Sequence, residues 1–304
     1  MLAVLILSTP LVSGRTAHHH LNTPGRALVV IGANDATSND NEVVLSWLRF
    51  CADNSAAAEA AGLKVLLVEP NPDVYASLER TVSKAYRSAA SIVPVNMLVG
   101  ANSRAAGSFT ARFHMVNSTL LLEDCPNAPH WVLHQLSSLS LAHVTDGLQG
   151  FINCVQRSNP DKPRPSCNGS QCNLPAMRRR PTKSYLFHRT VHIATFAQLL
   201  QKNRLEPADV DVLAIDAQGY DAAILQHAFA ESPDLFPRVV IFEHSMLSPA
   251  VKNATIELLE RRGFATDCPI RNGRATCRRP SGQDVYATQT QRGLYMGVPM
   301  PGKA

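Results

Sequence analysis

The sequence predicts an α/β domain built around a parallel sheet. Two segments, Ala27–Asp35 and Val65–Pro72, each begin with a run of aliphatic residues and stop on polar residues and turn formers. Runs of this kind, rich in Val and Ile, are typical of strands buried on both faces. The chain has 304 residues and is 45% hydrophobic, which is enough to bury one large core. In such a sheet, ligands bind at the carboxyl ends of the strands.

Predicted strands and helices alternate along the chain. The predicted strands are 27–31, 64–68, 91–98, 107–116, 210–215 and 238–242, with two short strands after residue 263. The predicted helices, whose apolar residues recur at helical spacing, are 41–62, 72–87, 195–203, 221–229 and 248–262. A strand, a helix and the next strand form a right-handed crossover. The alternating residues of 107–116 predict an additional edge strand.

One stretch interrupts this alternation. Residues 123–183 are rich in proline, cysteine and arginine, and we predict that they form an insertion over the sheet. The domain with its insertion is predicted to extend over residues 27–280. Residues 281–304 are predicted to be a C-terminal tail, and residues 1–14 a signal peptide.

The charge pattern disfavours nucleic acid as a partner. The formal net charge is +5, and the arginine clusters at 178–180, 261–262 and 278–279 are short. A nucleic-acid binder usually shows a stronger basic stripe, often with aromatic residues. These clusters are expected to be solvated surface or contacts to an acidic substrate.

The N-terminal segment suggests export. Leu2–Leu7 is apolar, and Val12–Gly14 supplies small residues at which a signal peptidase could cut. The apolar run is too short to span a bilayer, which takes about 20 residues, so any membrane association would go through this segment alone. An ordinary buried segment and the remnant of a longer anchor are the alternatives. Sequons at Asn117, Asn168 and Asn253 also favour a lumenal or secreted glycoprotein.

The cysteines indicate an oxidising compartment. Four of them, Cys125, Cys154, Cys167 and Cys172, lie in or near a stretch with few apolar residues, and Cys268 and Cys277 flank a short turn. Disulfides within each group would rigidify parts that lack their own core. Cys51 is predicted to be a free buried thiol. Zinc is the competing interpretation, but no second closely spaced pair follows Cys167 and Cys172, and we expect no metal site.

The residues at the two first strand ends suit a nucleoside. Gly32 would let a ligand approach the backbone where a Cβ would block it, and Asn34 offers both a donor and an acceptor. Glu69 can accept hydrogen bonds from both hydroxyls of a ribose. These residues predict a nucleoside-containing cofactor at this edge of the sheet.

Several motifs in order resemble the FkbM-type family of S-adenosylmethionine-dependent methyltransferases. They are Val30-Ile-Gly-Ala-Asn34, Val68-Glu-Pro-Asn-Pro72 with Leu78, Val210–Asp221 with Leu225, Val240-Ile-Phe-Glu243 and the Leu258–Phe264 stretch. The resemblance covers about residues 27 to 110 and 190 to 268. It implies a Rossmann-like, doubly wound, mostly parallel seven-stranded sheet of the class I methyltransferases, carrying the Cys/Pro-rich insertion.

The same resemblance assigns roles to individual residues. Gly32, Ala33 and Asn34 would line the methionine end of S-adenosylmethionine, Glu69 would bind the ribose, and Asn71 would lie near the adenosine. Asp216 and Gln218 would face the transferred methyl group or its acceptor. The expected acceptor is a hydroxyl on a glycan, glycolipid or metabolite.

Methylating a hydroxyl also requires a proton acceptor. The candidate catalytic residues are Asp216, Glu243 and His244, which all lie near predicted strand ends, and the imidazole of His244 ordinarily titrates near neutrality.

Three positions depart from the family's pattern. Val30 stands where an acidic residue is common, Ala36 where a second glycine usually follows, and Gln218 where Glu is frequent. A catalytically silent, secreted binding module on the same fold is therefore an alternative function. A nicotinamide-dependent oxidoreductase is a third, but the turn after the first strand has one glycine where three are needed.

Overall fold

The computed structural model describes residues 26–36, 42–86, 89, 91–100, 110–157, 172–268, 270–271, 274–275 and 284–289. These residues form two compact units. Of the described residues, the first unit contains those up to 70, those between 75 and 100 and those from 194 onward, and the second contains 71–74, 110–157 and 172–193. The predicted signal peptide, the Asn168 sequon, Cys167 and Cys277 lie outside the described residues.

The strands, numbered along the whole chain, are β1 Ala27–Ile31, β2 Lys64–Val68, β3 Ile92–Val95, β4 Leu98–Val99, β5 Thr110–Val116, β6 Ser137–Ser138, β7 Leu186–Ala194, β8 Val210–Ile215, β9 Val239–Glu243, β10 Phe264–Thr266, β11 Ile270–Arg271, β12 Arg274–Ala275 and β13 Asp284–Gln289. The α-helices are α1 Glu42–Asp53, α2 Ser55–Ala60, α3 Pro72–Ala85, α4 Ser118–Asp124, α5 Leu141–Arg157, α6 Leu174–Arg179, α7 Phe196–Lys202, α8 Asp221–Glu231 and α9 Pro249–Arg261. Short turns of π-helix at Trp131–Gln135 and of 3₁₀-helix at Thr182–Tyr185 and Pro207–Asp209 complete them.

The first unit is built on a seven-stranded sheet with the order β10-β13-β9-β8-β1-β2-β3. Within the run β9-β8-β1-β2-β3, each strand is parallel to the next. Strand β13 is antiparallel to both β9 and β10. This confirms the predicted α/β fold with a mostly parallel sheet. The strand β13 comes from residues that the sequence analysis assigned to a C-terminal tail, so the sheet draws on the chain beyond residue 280.

Helices cover both faces of this sheet. Along β1, the alternate residues Ala27, Val29 and Ile31 belong to one buried cluster, and Leu28 and Val30 belong to another. Helices α7, α8 and α9 contribute to the first cluster, and α1, α2 and α3 to the second. Because successive side chains of a strand point to opposite faces, a strand covered on both faces needs an unbroken apolar run. This double burial is why β1 lacks alternating polar residues.

The strand order reverses beside β1, which pairs with β2 on one side and β8 on the other. A parallel sheet binds its ligands at such a switch point, outside the carboxyl ends of the strands. The residues that follow β1, β2, β8 and β9 therefore share one edge of the sheet, and this edge carries the candidate site.

The second unit contains a smaller antiparallel arrangement. Strand β5 pairs with β6 and with β7, and helices α4, α5 and α6 share a buried cluster. Strand β5 is the predicted edge strand at 107–116, but its partners are β6 and β7 and it is not part of the seven-stranded sheet. The described parts of the predicted insertion 123–183 lie in this unit.

A disulfide and a buried polar group hold the second unit together. Cys125 at the end of α4 is bonded to Cys172, just before α6, which confirms one pairing within the predicted cysteine group. The Tyr185 hydroxyl donates to Asp124 Oδ2 at 2.6 Å, and Arg180 Nε lies 3.0 Å from the same oxygen. Cys154 and Cys268 are also disulfide-bonded.

Cys51 is a free thiol buried in the core between the sheet and α1, as predicted, and its burial raises the pKa of the thiol. In the part of the chain that the structure describes, no helix has both the length and the apolar character needed to cross a bilayer.

Candidate active site

The turn after β1 begins at Gly32, where the backbone adopts a φ of +81°. The amides of Gly32 and Ala33 both donate to the carbonyl of Val68, at 2.9 and 3.0 Å, and the amide of Asp216 donates to the carbonyl of Ile31 at 2.8 Å. A Cβ on Gly32 would lie 1.8 Å from the carbonyl oxygen of Asp216. The sequence analysis assigned this glycine to the approach of a ligand. The structure shows that the end of β8 already requires it.

Two further residues of this turn are left-handed without being glycine. Asn34 has a φ of 51°, and its Oδ1 accepts the amide of Asp35 at 2.9 Å. Asparagine tolerates this region because its short side chain can hydrogen-bond locally. Ala36 has a φ of 61°, which costs an ordinary residue about 1–2 kcal/mol. This conformation is the physical reason why glycine suits position 36.

Val30 occupies an interior position of β1. It is buried in the core and pairs with Leu67 on one side and Ala214 on the other. Its surroundings are apolar, and an acidic side chain at this position would be placed among them.

Glu69 follows β2 directly and is only 6% exposed. Its Oε2 accepts the amide of Asn34 at 3.0 Å, its own amide donates to Val95, and its carbonyl accepts the side-chain amide of Asn96 at 2.8 Å. The carboxylate thus ties the β1 turn to the end of β2. A carboxylate can accept about four hydrogen bonds. After the bond from Asn34, Glu69 can therefore still accept hydrogen bonds from a ligand.

The other two residues predicted to bind the cofactor are also buried. Ala33 lies in the core beside β1. Asn71 uses its side-chain oxygen to accept the amides of Asp73 and Val74, at 3.1 and 3.5 Å, at the start of α3. That oxygen therefore serves the helix, and a role for Asn71 beside the adenosine stays a prediction.

The turn after β8 places a side-chain amide between two carboxylates. Gln218 has a φ of 49° and Gly219 a φ of 93°. The Gln218 amide nitrogen lies 2.9 Å from Asp216 Oδ1 and 3.4 Å from Glu243 Oε2. Glu243 ends β9, is only 7% exposed and accepts a hydrogen bond from the Ser245 hydroxyl. The structure thus brings together three of the residues that the sequence analysis selected.

Asp221 is a site residue that the sequence analysis did not select. It is fully buried at the start of α8. Its Oδ1 accepts the amides of Ala217 and Glu243 at 3.3 and 3.2 Å, and its Oδ2 accepts the amide of Gly219 at 3.2 Å. The available signal was its place as the last acid of the Val210–Asp221 motif. Asp221 fixes the β8 turn and the end of β9 at the same time.

The surroundings of Asp216 and Asp221 favour the protonated form of both carboxyl groups. Burial raises the pKa of Asp221 to about 7, against the opposing effect of the backbone amides. Asp216 is reached by solvent, yet the protein packed around it raises the pKa of its carboxyl well above the usual range. The charges of Glu243 and Asp221 raise that pKa further.

His244 follows β9 but is engaged elsewhere. The Lys252 ammonium nitrogen lies 3.1 Å from His244 Nδ1. Burial lowers the pKa of His244, and the positive charge of Lys252 lowers it further. An ammonium can only donate, so Nδ1 is the accepting nitrogen and Nε2 carries the hydrogen. The lowered pKa makes His244 a weaker proton acceptor than an ordinary imidazole.

The comparisons with known proteins identify the family of the chain. Residues 31–265 match the profile of the methyltransferase FkbM domain, which is more than half of the chain. The chain belongs to the FkbM methyltransferase family. The matched range contains Gly32, Glu69, Asp216, Asp221 and Glu243, and it confirms the family that the sequence motifs indicated.

No curated protein matches this chain in sequence. Among solved structures, it is similar to the crystal structure of precorrin-6y C5,15-methyltransferase from Geobacter metallireducens GS-15, with 10% identity and a TM-score of 0.32. The alignment covers 89% of this chain and 82% of that one. In the described residues of the FkbM protein, no group of three or more metal-ligating side chains is placed to hold an ion.

Proposed function

We propose that this methyltransferase uses S-adenosylmethionine and methylates a hydroxyl oxygen on a glycan, glycolipid or metabolite. One observation carries the proposal: a buried acceptor, Glu69, and a second set of carboxylates, Asp216 and Glu243, follow strands on the same edge of the sheet around the switch point. The first suits the diol of a ribose, and the second suits a reaction that releases a proton.

The donor set fits the proposed cofactor. Glu69 would accept hydrogen bonds from the ribose hydroxyls, the Gly32–Asn34 turn would hold the methionine end, and Asn71 would lie near the adenosine. When bound, S-adenosylmethionine supplies a methyl group already activated by a positively charged sulfur. The protein's tasks are then to align the acceptor, to exclude water and to remove the hydroxyl proton.

We further propose that the protein works in the secretory pathway, in the Golgi or endoplasmic reticulum lumen or outside the cell. The disulfide between Cys125 and Cys172 supports this because such bonds persist in oxidising compartments. Of the sequon asparagines, Asn117 caps α4 by accepting the amide of Leu120, and Asn253 lies within α9. Glycosylation of these residues stays a prediction.

A silent binding module is the second candidate function. Ala36 holds a left-handed conformation that glycine would adopt without strain, and Val30, inside β1, carries no carboxylate. Both features favour a site that has lost turnover. Family membership, by contrast, favours methyl transfer over the nicotinamide-dependent alternative.

Calorimetry with S-adenosylmethionine tests the proposed site. We expect the purified chain to bind, and Glu69→Gln to weaken binding at least about tenfold, or 1.4 kcal/mol, because one acceptor oxygen becomes a donor. Glu59→Gln, at an exposed position of α2, is the matched control and should leave the affinity unchanged. Unaltered binding in Glu69→Gln would remove Glu69 from the site. Binding without methyl transfer to any hydroxylated acceptor would favour the silent module.

A further inference from the structure

The left-handed conformation of Gln218 has a structural cost. A residue with a Cβ in this region is disfavoured by about 1–2 kcal/mol, and residues held in such conformations cluster at functional sites. Here the conformation directs the amide toward Asp216 and Glu243, at 2.9 and 3.4 Å. Because both partners are acceptors, the nitrogen and not the oxygen of the amide must face them.

The two carboxyl groups joined by this amide are also close to one another. Asp216 Oδ1 and Glu243 Oε2 lie 2.9 and 3.4 Å from the same Gln218 nitrogen, so one amide brings the two groups together. Burial raises the pKa of the Asp216 carboxyl, and the negative charge of Glu243 raises it further.

The charged groups around this pair come from four elements. Asp221 at the start of α8 adds a negative charge beside Asp216 when it is ionised. From β13, Asp284 is the residue opposite Glu243 in the antiparallel ladder. His244 and Lys252, after β9 and on α9, form their own contact at 3.1 Å. Of these groups, Asp221 is the one whose charge raises the pKa of Asp216.

We propose that Gln218 is a positioning residue that holds Asp216 and Glu243 as one proton-sharing pair, and that this pair receives the proton of the acceptor hydroxyl. The second half of this inference rests on the proposed function. The doubly ionised pair takes the O–H proton while the acceptor oxygen forms its bond to the methyl carbon. The electron pair of the broken carbon–sulfur bond stays on sulfur, and the carboxyl pair ends in its favoured singly protonated state.

This assignment gives Gln218 a role that a third carboxylate would not fill. The amide donates to both groups and so stabilises their ionised forms, which lowers the pKa of Asp216. A glutamate at 218 would add a negative charge at the same place. It would instead raise the upper pKa of the pair, which is the pKa for the loss of its second proton. The Gln218 amide therefore lowers the pH above which the pair can accept a proton.

The test measures the carboxyl ¹³C chemical shifts of Asp216 and Glu243 against pH in the protein without cofactor. Asp216→Asn and Glu243→Gln assign the two signals. We expect both signals to report one common upper pKa. In Gln218→Asn that pKa should rise by about one unit, because asparagine tolerates the left-handed turn but is one methylene too short to reach both carboxylates. Gln218→Glu should raise it further.

Gln226→Leu, at an exposed position of α8, is the control and should leave the pKa unchanged. Two signals that titrate independently, or an upper pKa that stays fixed in Gln218→Asn, would overturn the inference. The pH profile of kcat/KM, which reports the free enzyme, should shift upward by the same amount as the ¹³C titration. A kcat/KM profile that does not move would remove the pair from the reaction. Failure of cofactor binding in calorimetry would reject the proposed function alone, because the ¹³C titration is measured without cofactor.

Discussion

The turns after β1 and β8 use similar backbones for different purposes. Each combines a glycine with non-glycine residues in the left-handed region: Gly32 with Asn34 and Ala36 in the first, and Gly219 with Gln218 in the second. Each is also fixed by a carboxylate from another position that accepts its backbone amides. In the first turn the contacts run mostly between backbone groups, whereas in the second the side-chain carboxyl groups face one another. The first turn is suited to holding a ligand, and the second is suited to moving a proton.

The largest expected effect is the difference in unfolding free energy between Gly32→Ala and Gly219→Ala. Gly32→Ala would place a Cβ 1.8 Å from the Asp216 carbonyl and keep a φ of +81°, so β8 must move or the turn must rearrange. We expect a loss of about 4 kcal/mol or more in the free energy of unfolding, measured in urea. In Gly219→Ala the nearest atom, Met246 Cβ, lies 3.6 Å away, and we expect only the left-handed cost of about 1–2 kcal/mol. Equal losses would show that close packing does not distinguish the turns.

The second effect is a pH dependence confined to the β8 turn. The pKa of Asp221 is raised in the folded protein to about 7, from 3.8. The folded state therefore binds the extra proton, so this contribution to stability is complete below about pH 4 and is lost as pH rises to about 7. The difference in unfolding free energy between the native protein and Asp221→Asn should fall over this window by an amount on the order of 4 kcal/mol.

The exposed Asp53→Asn provides the control for removing a carboxylate from the folded surface. Its difference from the native protein should lack the fall seen with Asp221→Asn. A difference between the native protein and Asp221→Asn that is constant from pH 4 to pH 7 would show that Asp221 is not stabilised in its protonated form.

The contrast between the turns also explains what the sequence could reveal. Gly32 and Glu69 were found because each lies next to an apolar run that marks its strand, and both clues are local. Asp221 was missed because its partners include the amide of Glu243, which only the pairing of β8 with β9 brings near. For the same reason the sequence analysis missed β13, which lies beyond residue 280, and the pairing partners of β5. The residues of a single strand do not specify which strand it will pair with.

The smallest effect concerns Asn34, whose side chain the sequence assigned to the cofactor. Its Oδ1 already accepts the amide of Asp35 and so stabilises the left-handed turn. Asn34→Ala should cost about 1 kcal/mol in unfolding free energy, because it loses this bond and keeps the strain. Asn34→Gly loses the same bond without the strain and should recover part of the loss.

If Asn34→Gly also keeps the affinity for S-adenosylmethionine, the turn holds its ligand through the backbone. A tenfold loss of affinity would assign the contact to the side chain. Equal stabilities of the two variants would contradict the role of the left-handed conformation, and the resemblance between the two turns would then end at their glycines.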